Sequence, residues 1–130
     1  MISLDTNVLV RFITNDEPRQ AKRARALVEG HEVFVTATVL LESEWVLRAA
    51  YGFTADQIVQ AFRNVLGLPR MHVEAADKIE KALDWCVAGL DYADALHTAF
   101  SASAERFATF DDKLIRRAKK KIPGLSIQAL

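Results

Sequence analysis

Met1-Ile2-Ser3-Leu4-Asp5-Thr6-Asn7-Val8-Leu9-Val10 opens the chain, and its reading decides the fold class. Ile2 and Leu4 alternate with the period of two expected of a strand. The strand stops almost at once, and Asp5, Thr6 and Asn7 stand where strand turns into helix. Ligands of open α/β sheets bind outside the carboxyl ends of the strands, so Asp5 occupies a functional address. Taken alone, Asp5 reads as the N-cap of the following helix, a place where Asp is favoured. A catalytic reading requires other acids to arrive at the same place.

The remainder of the chain bounds the answer. Its 130 residues match the commonest size of a single domain. With 51% hydrophobic and 26% charged residues, it has the composition of an ordinary globule able to bury a core. Lys plus Arg and Asp plus Glu are each 17, so nucleic-acid binding has to come from local patches rather than bulk charge. The one cysteine, Cys86, excludes an internal disulfide and fits a reducing compartment. The start is not that of a signal peptide, and no apolar run is long enough to span a bilayer. The expected location is the cytoplasm, without membrane attachment.

Short apolar runs alternate with helix-period stretches, which predicts an α/β fold with a mostly parallel sheet. Helices are expected over 8–13, from the Asn15-Asp16-Glu17-Pro18 start to Glu29, over 38–50, 54–66, 75–87, 91–104 and 113–120. Thr54-Ala55-Asp56-Gln57 is a capping box. Strands are expected at the start, around Val33-Phe34-Val35, at Met71-His72-Val73, at Phe107-Ala108-Thr109-Phe110 and at a final edge, Leu125-Ser126-Ile127. That makes about five short strands flanked by helices.

Glu42 is the anomaly in this pattern. At about 100° per residue, Leu47, Val39, Val46, Ala50, Ala49 and Trp45 form an apolar arc of the 38–50 helix, and Glu42 falls inside it. Glu44 and Arg48 form the opposite polar side as an i, i+4 ion pair. A buried carboxylate needs a base, a shared proton or a metal. Asp5, Asp94 and Asp111 share an address with it: two follow strand ends, and Asp94 lies in the first turn of a helix. Each can also be explained locally, by capping or by the helix dipole. Together the four form an all-oxygen set, the ligand chemistry of Mg²⁺ or Mn²⁺ rather than of structural zinc.

With these residues in place, the chain resembles the PIN domain, in particular the toxin subunit of VapBC-type toxin–antitoxin pairs. Three stretches carry the likeness: Leu4-Asp5-Thr6-Asn7-Val8-Leu9, Val39-Leu40-Leu41-Glu42-Ser43-Glu44-Trp45-Val46-Leu47, and Asp91-Tyr92-Ala93-Asp94-Ala95-Leu96-His97 followed by Thr109-Phe110-Asp111. The resemblance covers the whole chain and implies a single PIN-like domain over 1–130. It implies an Mg²⁺- or Mn²⁺-dependent endoribonuclease with Asp5, Glu42, Asp94 and Asp111 as the catalytic acids. Asp5 and Asp94 would hold the metal, with Glu42 and Asp111 doing so directly or through water. Asn7, Thr109 and Asp91 match supporting positions, and Asp112 is the alternative fourth acid. A homodimer and a small inhibitory antitoxin are the implied partners.

Phosphodiester hydrolysis needs an activated water and neutralisation of charge on the phosphate, and carboxylate-held metal supplies both. Basic residues must then hold the RNA backbone. The candidates are Arg116, Arg117, Lys119 and Lys120, together with Arg19 and Arg23; a solvated helix face explains each one individually. His72, His97 and Cys86 carry no assigned role. A haloacid-dehalogenase-type phosphatase would need a second Asp where Asn7 stands. A phosphoacceptor receiver would need an acid pair at the first strand's end. A PIN module that binds RNA or protein without cleaving is the non-enzymatic alternative.

Overall fold

The computed structural model describes residues 1–130. They form β1 (Ile2–Ser3), α1 (Thr6–Thr14), α2 (Pro18–Gly30), β2 (Val33–Val35), α3 (Ala37–Ala49), α4 (Ala55–Leu66), β3 (Met71–Val73), α5 (Ala76–Val87), α6 (Tyr92–Phe100), β4 (Phe107–Thr109), α7 (Asp112–Lys121) and β5 (Ile127–Ala129). All five expected strands are present, but not in one sheet. β1-β2-β3 form one parallel sheet, and β4-β5 a second, also parallel. The chain divides accordingly into two compact units, Met1–Ala76 and Asp77–Leu130. Strands of two or three residues carry too little register information for sequence alone to say which strands pair.

In the first unit, Ile2 pairs with Val33, and Val33 with Met71. Val33 and Val35 are fully buried, as the central strand of a covered parallel sheet requires. The carboxyl ends of the three strands lead into Asp5, Thr36 and Glu74. Each supplies an oxygen to a helix start. Asp5 accepts from the Thr6 amide at 2.7 Å, Thr36 from Val39 at 3.2 Å, and Glu74 from Ala37 at 2.7 Å. Glu17 caps α2, and the capping box of Thr54 and Gln57 opens α4 as expected. Asn15, with φ of 55°, takes the left-handed conformation that ends α1; Asn tolerates it better than most residues. A polar cluster then ties this corner down. Arg11 donates to Asp16, Gln20 and Tyr51, and the Tyr51 hydroxyl donates to Asp16 at 2.7 Å. That hydroxyl is the main reason the Asp16 carboxyl is held below its ordinary range.

The wheel drawn for α3 is corrected by the structure. Its buried residues are Ala37, Leu40, Ser43, Glu44 and Leu47. Glu42 is exposed, and so is Trp45 at 59%. Glu44, expected on the solvated side, is only 6% exposed. The ion pair with Arg48 does form, at 2.8 Å, but half under cover. The reason lies in the core. The buried face mixes the small Ala37 and Ser43 with Leu40 and Leu47, and Trp45 is left outside.

In the second unit, Phe107 pairs with Ile127. β5 therefore begins two residues later than expected, and α6 ends at Phe100 rather than near Ala104. α7 is cleanly amphipathic: Leu114, Ile115 and Ala118 are buried, while Arg116, Arg117, Lys119 and Lys120 are exposed. Across the chain, no helix is long and apolar enough to cross a membrane.

Because Glu44 is buried, Arg48→Ala leaves a carboxylate short of a partner in poor solvent. The expected loss of unfolding free energy is roughly 1–3 kcal/mol, the usual penalty for an unsatisfied buried group. Urea denaturation measures it, and an unchanged midpoint would mean that water replaces the guanidinium.

Candidate active site

The first unit brings Asp5 and Glu42 into one hydrogen-bonded chain through a residue between them. Thr6, 5% exposed, donates its hydroxyl to Glu42 Oε1, while its amide donates to Asp5 Oδ1. Both carboxylates are exposed, so neither needs a buried base. Asn7 follows in the first turn of α1 and lines a cleft of about 470 Å³ between α1 and α2, together with Arg11, Gln20 and Arg23. Arg23 thus shares a concave surface with Asn7; Arg19 is exposed on α2 without lining it.

The second unit gathers the other acids. Asp91 is the N-cap of α6, and its carboxylate accepts from the Asp94 amide at 3.4 Å. Asp111 caps α7, accepting from Lys113 and Leu114 at 3.0 and 3.1 Å. The Asp111 amide in turn donates to Thr109 Oγ1 at 3.0 Å, which fixes the turn after β4. Asp112 is exposed as the first residue of α7. Asp94 is half-buried in the first turn of α6, and its carboxyl is pushed above the ordinary 3.8. Burial is the largest cause, followed by the charges of Asp91 and Asp111; His97 and Arg117 pull the other way.

The local explanations therefore hold for Asp5, Asp91 and Asp111, which all cap helices. Capping does not explain Asp94, a partly desolvated acid facing two more acids. Of the basic run on α7, Arg117 is the member whose field reaches Asp94. Two residues without an assigned role in the sequence also belong here. Thr6 orients Glu42, and His97 lies one turn after Asp94. Thr6 left no signal beyond its position between Asp5 and Asn7. His97 had one, its i, i+3 spacing from Asp94.

The donors available to a cofactor are carboxylate oxygens, which suit Mg²⁺ or Mn²⁺. No three His, Cys, Asp or Glu side chains are gathered tightly enough to enclose an ion by themselves. Mg²⁺ usually keeps several waters and takes only one or two carboxylates, so it does not require a cluster of three.

A family profile described as the PIN domain matches residues 2–120. The chain belongs to the PIN domain family. A search of curated proteins finds no match. Among solved structures, this PIN domain is similar to VapC20 of Mycobacterium tuberculosis, a sarcin–ricin loop cleaving toxin. Identity is 21% over 89% of this chain and 94% of that one, with a TM-score of 0.45.

Because the Asp94 pKa is raised on folding, its charged form opposes folding. Below the unfolded value both states are protonated and there is no penalty. As pH rises through the folded value, the penalty develops and then stays. Asp94→Asn is therefore expected to melt higher than the parent in metal-free buffer at pH 7, with the difference vanishing below pH 3.8. Thermal melts across pH test this, and a variant that melts lower at pH 7 would contradict it.

Proposed function

We propose that this chain is a divalent-metal-dependent endoribonuclease, the toxin of a toxin–antitoxin pair. The observation that carries the proposal is the match of residues 2–120 to the PIN family, and the half-buried Asp94, raised by burial and by Asp91 and Asp111, supports it. A second acid close to a partly buried one disfavours its charged form, and a bound cation would relieve that.

By the family resemblance, Asp5 and Asp94 would hold the metal, with Glu42 and Asp111 as ligands directly or through water. A bound Mg²⁺ or Mn²⁺ supplies a more acidic water and neutralises charge on the phosphate. Thr6 keeps the Glu42 carboxylate aimed by donating to it. Thr109 holds the Asp111 backbone, and the effect of Asp111 on Asp94 favours it over Asp112 as the fourth acid. Asn7 and Asp91 support the acids from their helix starts. Exposed Arg116, Arg117, Lys119 and Lys120 on α7, and Arg19 and Arg23 on α2, bind the RNA backbone. Arg117 and Arg23 come first, because the one reaches Asp94 and the other shares a cleft with Asn7. The two units serve as one domain over residues 1–130, in the cytoplasm, as a homodimer inhibited by a small antitoxin.

Cleavage of a pooled RNA substrate at saturating Mg²⁺ or Mn²⁺, with chelator as the blank, tests the reaction. Glu42→Gln is expected to lower kcat/KM on the order of a hundredfold, the scale for losing one charge-stabilising group. Thr6→Val acts only through Glu42 and should lose about tenfold, mainly as weaker metal dependence. A folded Glu42→Gln variant that cleaves like the parent would overturn the assignment. A parent that binds RNA without cleaving it would make the chain a binding module instead.

The assembly is tested separately. Light scattering is expected to give twice the mass of one chain at micromolar concentration, and a single-chain mass at every concentration would refute the dimer.

A further inference from the structure

The second unit has another concave surface, which the proposed reaction does not use. It is a cavity of about 370 Å³ lined by Lys81, Trp85, Ser101, Arg106, Phe107 and Ser126, among others. Lys81 and Trp85 come from α5, and Ser101 closes α6. Asp94 lies near the other end of α6, whose nine residues span about 13 Å. β4 and β5 run parallel, with Phe107 opposite Ile127, so both enter their sheet at the cavity. Asp111 leaves β4 at the opposite edge. The cavity and the acids Asp94 and Asp111 therefore lie toward opposite ends of α6 and β4.

Its chemistry also differs from that of the acidic end. The lining holds Lys81 and Arg106 and no Asp or Glu, in a chain with as many acids as bases. Lys81 and Trp85 are four apart on α5 and so share one face of that helix. Arg106 pairs at 3.0 Å only with its neighbour Glu105, which is 84% exposed; such pairs are weakly held and readily exchanged. Ser101 is already committed, donating to the His97 carbonyl at 2.7 Å. Trp85 and Phe107 are half-buried and add aromatic surface. Lys81 sits mid-helix on α5 and Arg106 in the loop before β4, so a solvated surface explains each by itself, but not two aromatic rings lining the same hollow. Ligand pockets begin at about 300 Å³, so this one suits a single ring with a phosphate rather than a peptide.

We propose that this cavity binds a phosphorylated aromatic ligand of nucleotide size, the base against Trp85 and the phosphate between Lys81 and Arg106. A free nucleotide and one residue of a single-stranded RNA present the same chemistry. The site stands on the cavity alone and is independent of the ribonuclease assignment.

Trp45→Phe leaves Trp85 as the sole tryptophan, since the chain has two. In that background, with chelator present so that nothing is cleaved, Trp85 fluorescence is titrated with uridine and adenosine 5′-monophosphates and with a 2′-O-methyl oligonucleotide. Saturable quenching is expected, weakened by about tenfold or more in Lys81→Gln/Arg106→Gln, which removes both charge-assisted contacts. Both replaced side chains are exposed, and a melt confirms the fold. An oligonucleotide that binds more than about tenfold tighter than either mononucleotide would identify a strand as the source, and equal or weaker binding a free nucleotide. Absence of quenching by any probe at millimolar concentration, or quenching undiminished in the double variant, would overturn the proposal. Because only binding is read, failure here leaves the ribonuclease proposal untouched.

Discussion

A helix that begins directly after a short strand exposes amide groups without acceptors, and this chain satisfies them largely with carboxylates. Asp5, Glu74 and Asp111 leave strand ends and accept from helix amides, and Asp91 does the same for α6. Much of the architecture follows from this constraint. Strands of two or three residues cannot hold a register by themselves, so the caps and the buried helix faces do much of the fixing. The same constraint concentrates acids at the carboxyl edges of parallel strands, where α/β proteins bind their ligands. Structure and chemistry use the same residues there, and a cap engages only part of a carboxylate's capacity to accept.

The two ends of the second unit differ in a way that follows from this arrangement. At the outgoing edge of β4, Asp111 and Asp91 face Asp94, and partial burial makes their mutual repulsion felt. At the incoming edge, where no helix starts, no cap is needed and no acid lines the cavity. Lys81 and Arg106 collect there instead. One unit thus has Asp91, Asp94 and Asp111 toward one end of α6 and Lys81 and Arg106, the latter paired with Glu105, lining a cavity toward the other.

Glu42 and Glu44 exchange the places that a helical wheel gives them. A helical wheel puts Glu42 on the apolar arc, yet it is exposed and engaged by Thr6. The wheel assumed that the bulky Trp45 and Val46 define the inner face. The inner face is instead made of Ala37, Leu40, Ser43, Glu44 and Leu47, small residues among large ones. Glu44 lies on that face and survives there because Arg48 reaches over it. Hydrophobicity around a helix is a weak guide when small and large apolar residues are mixed, because packing responds to shape as well as transfer energy.

The order of strands and helices and the capping box at Thr54 were legible in the sequence, because each depends on contacts within a few residues. The same is true of Asp5 and Asp111 at strand ends, where composition changes abruptly from apolar to acidic. Tertiary structure alone decided the rest. It split the strands into a three-stranded and a two-stranded sheet, turned α3 so that Glu44 rather than Glu42 is covered, and set Asp94 among Asp91, Asp111, His97 and Arg117. It also joined α5 and the entrances of β4 and β5 around one cavity. These features depend on which distant residues meet, and local propensity carries no record of that. Asp94 illustrates the division: its place in the first turn of a helix follows from the sequence around it, but its desolvation is set by whatever folds over that turn.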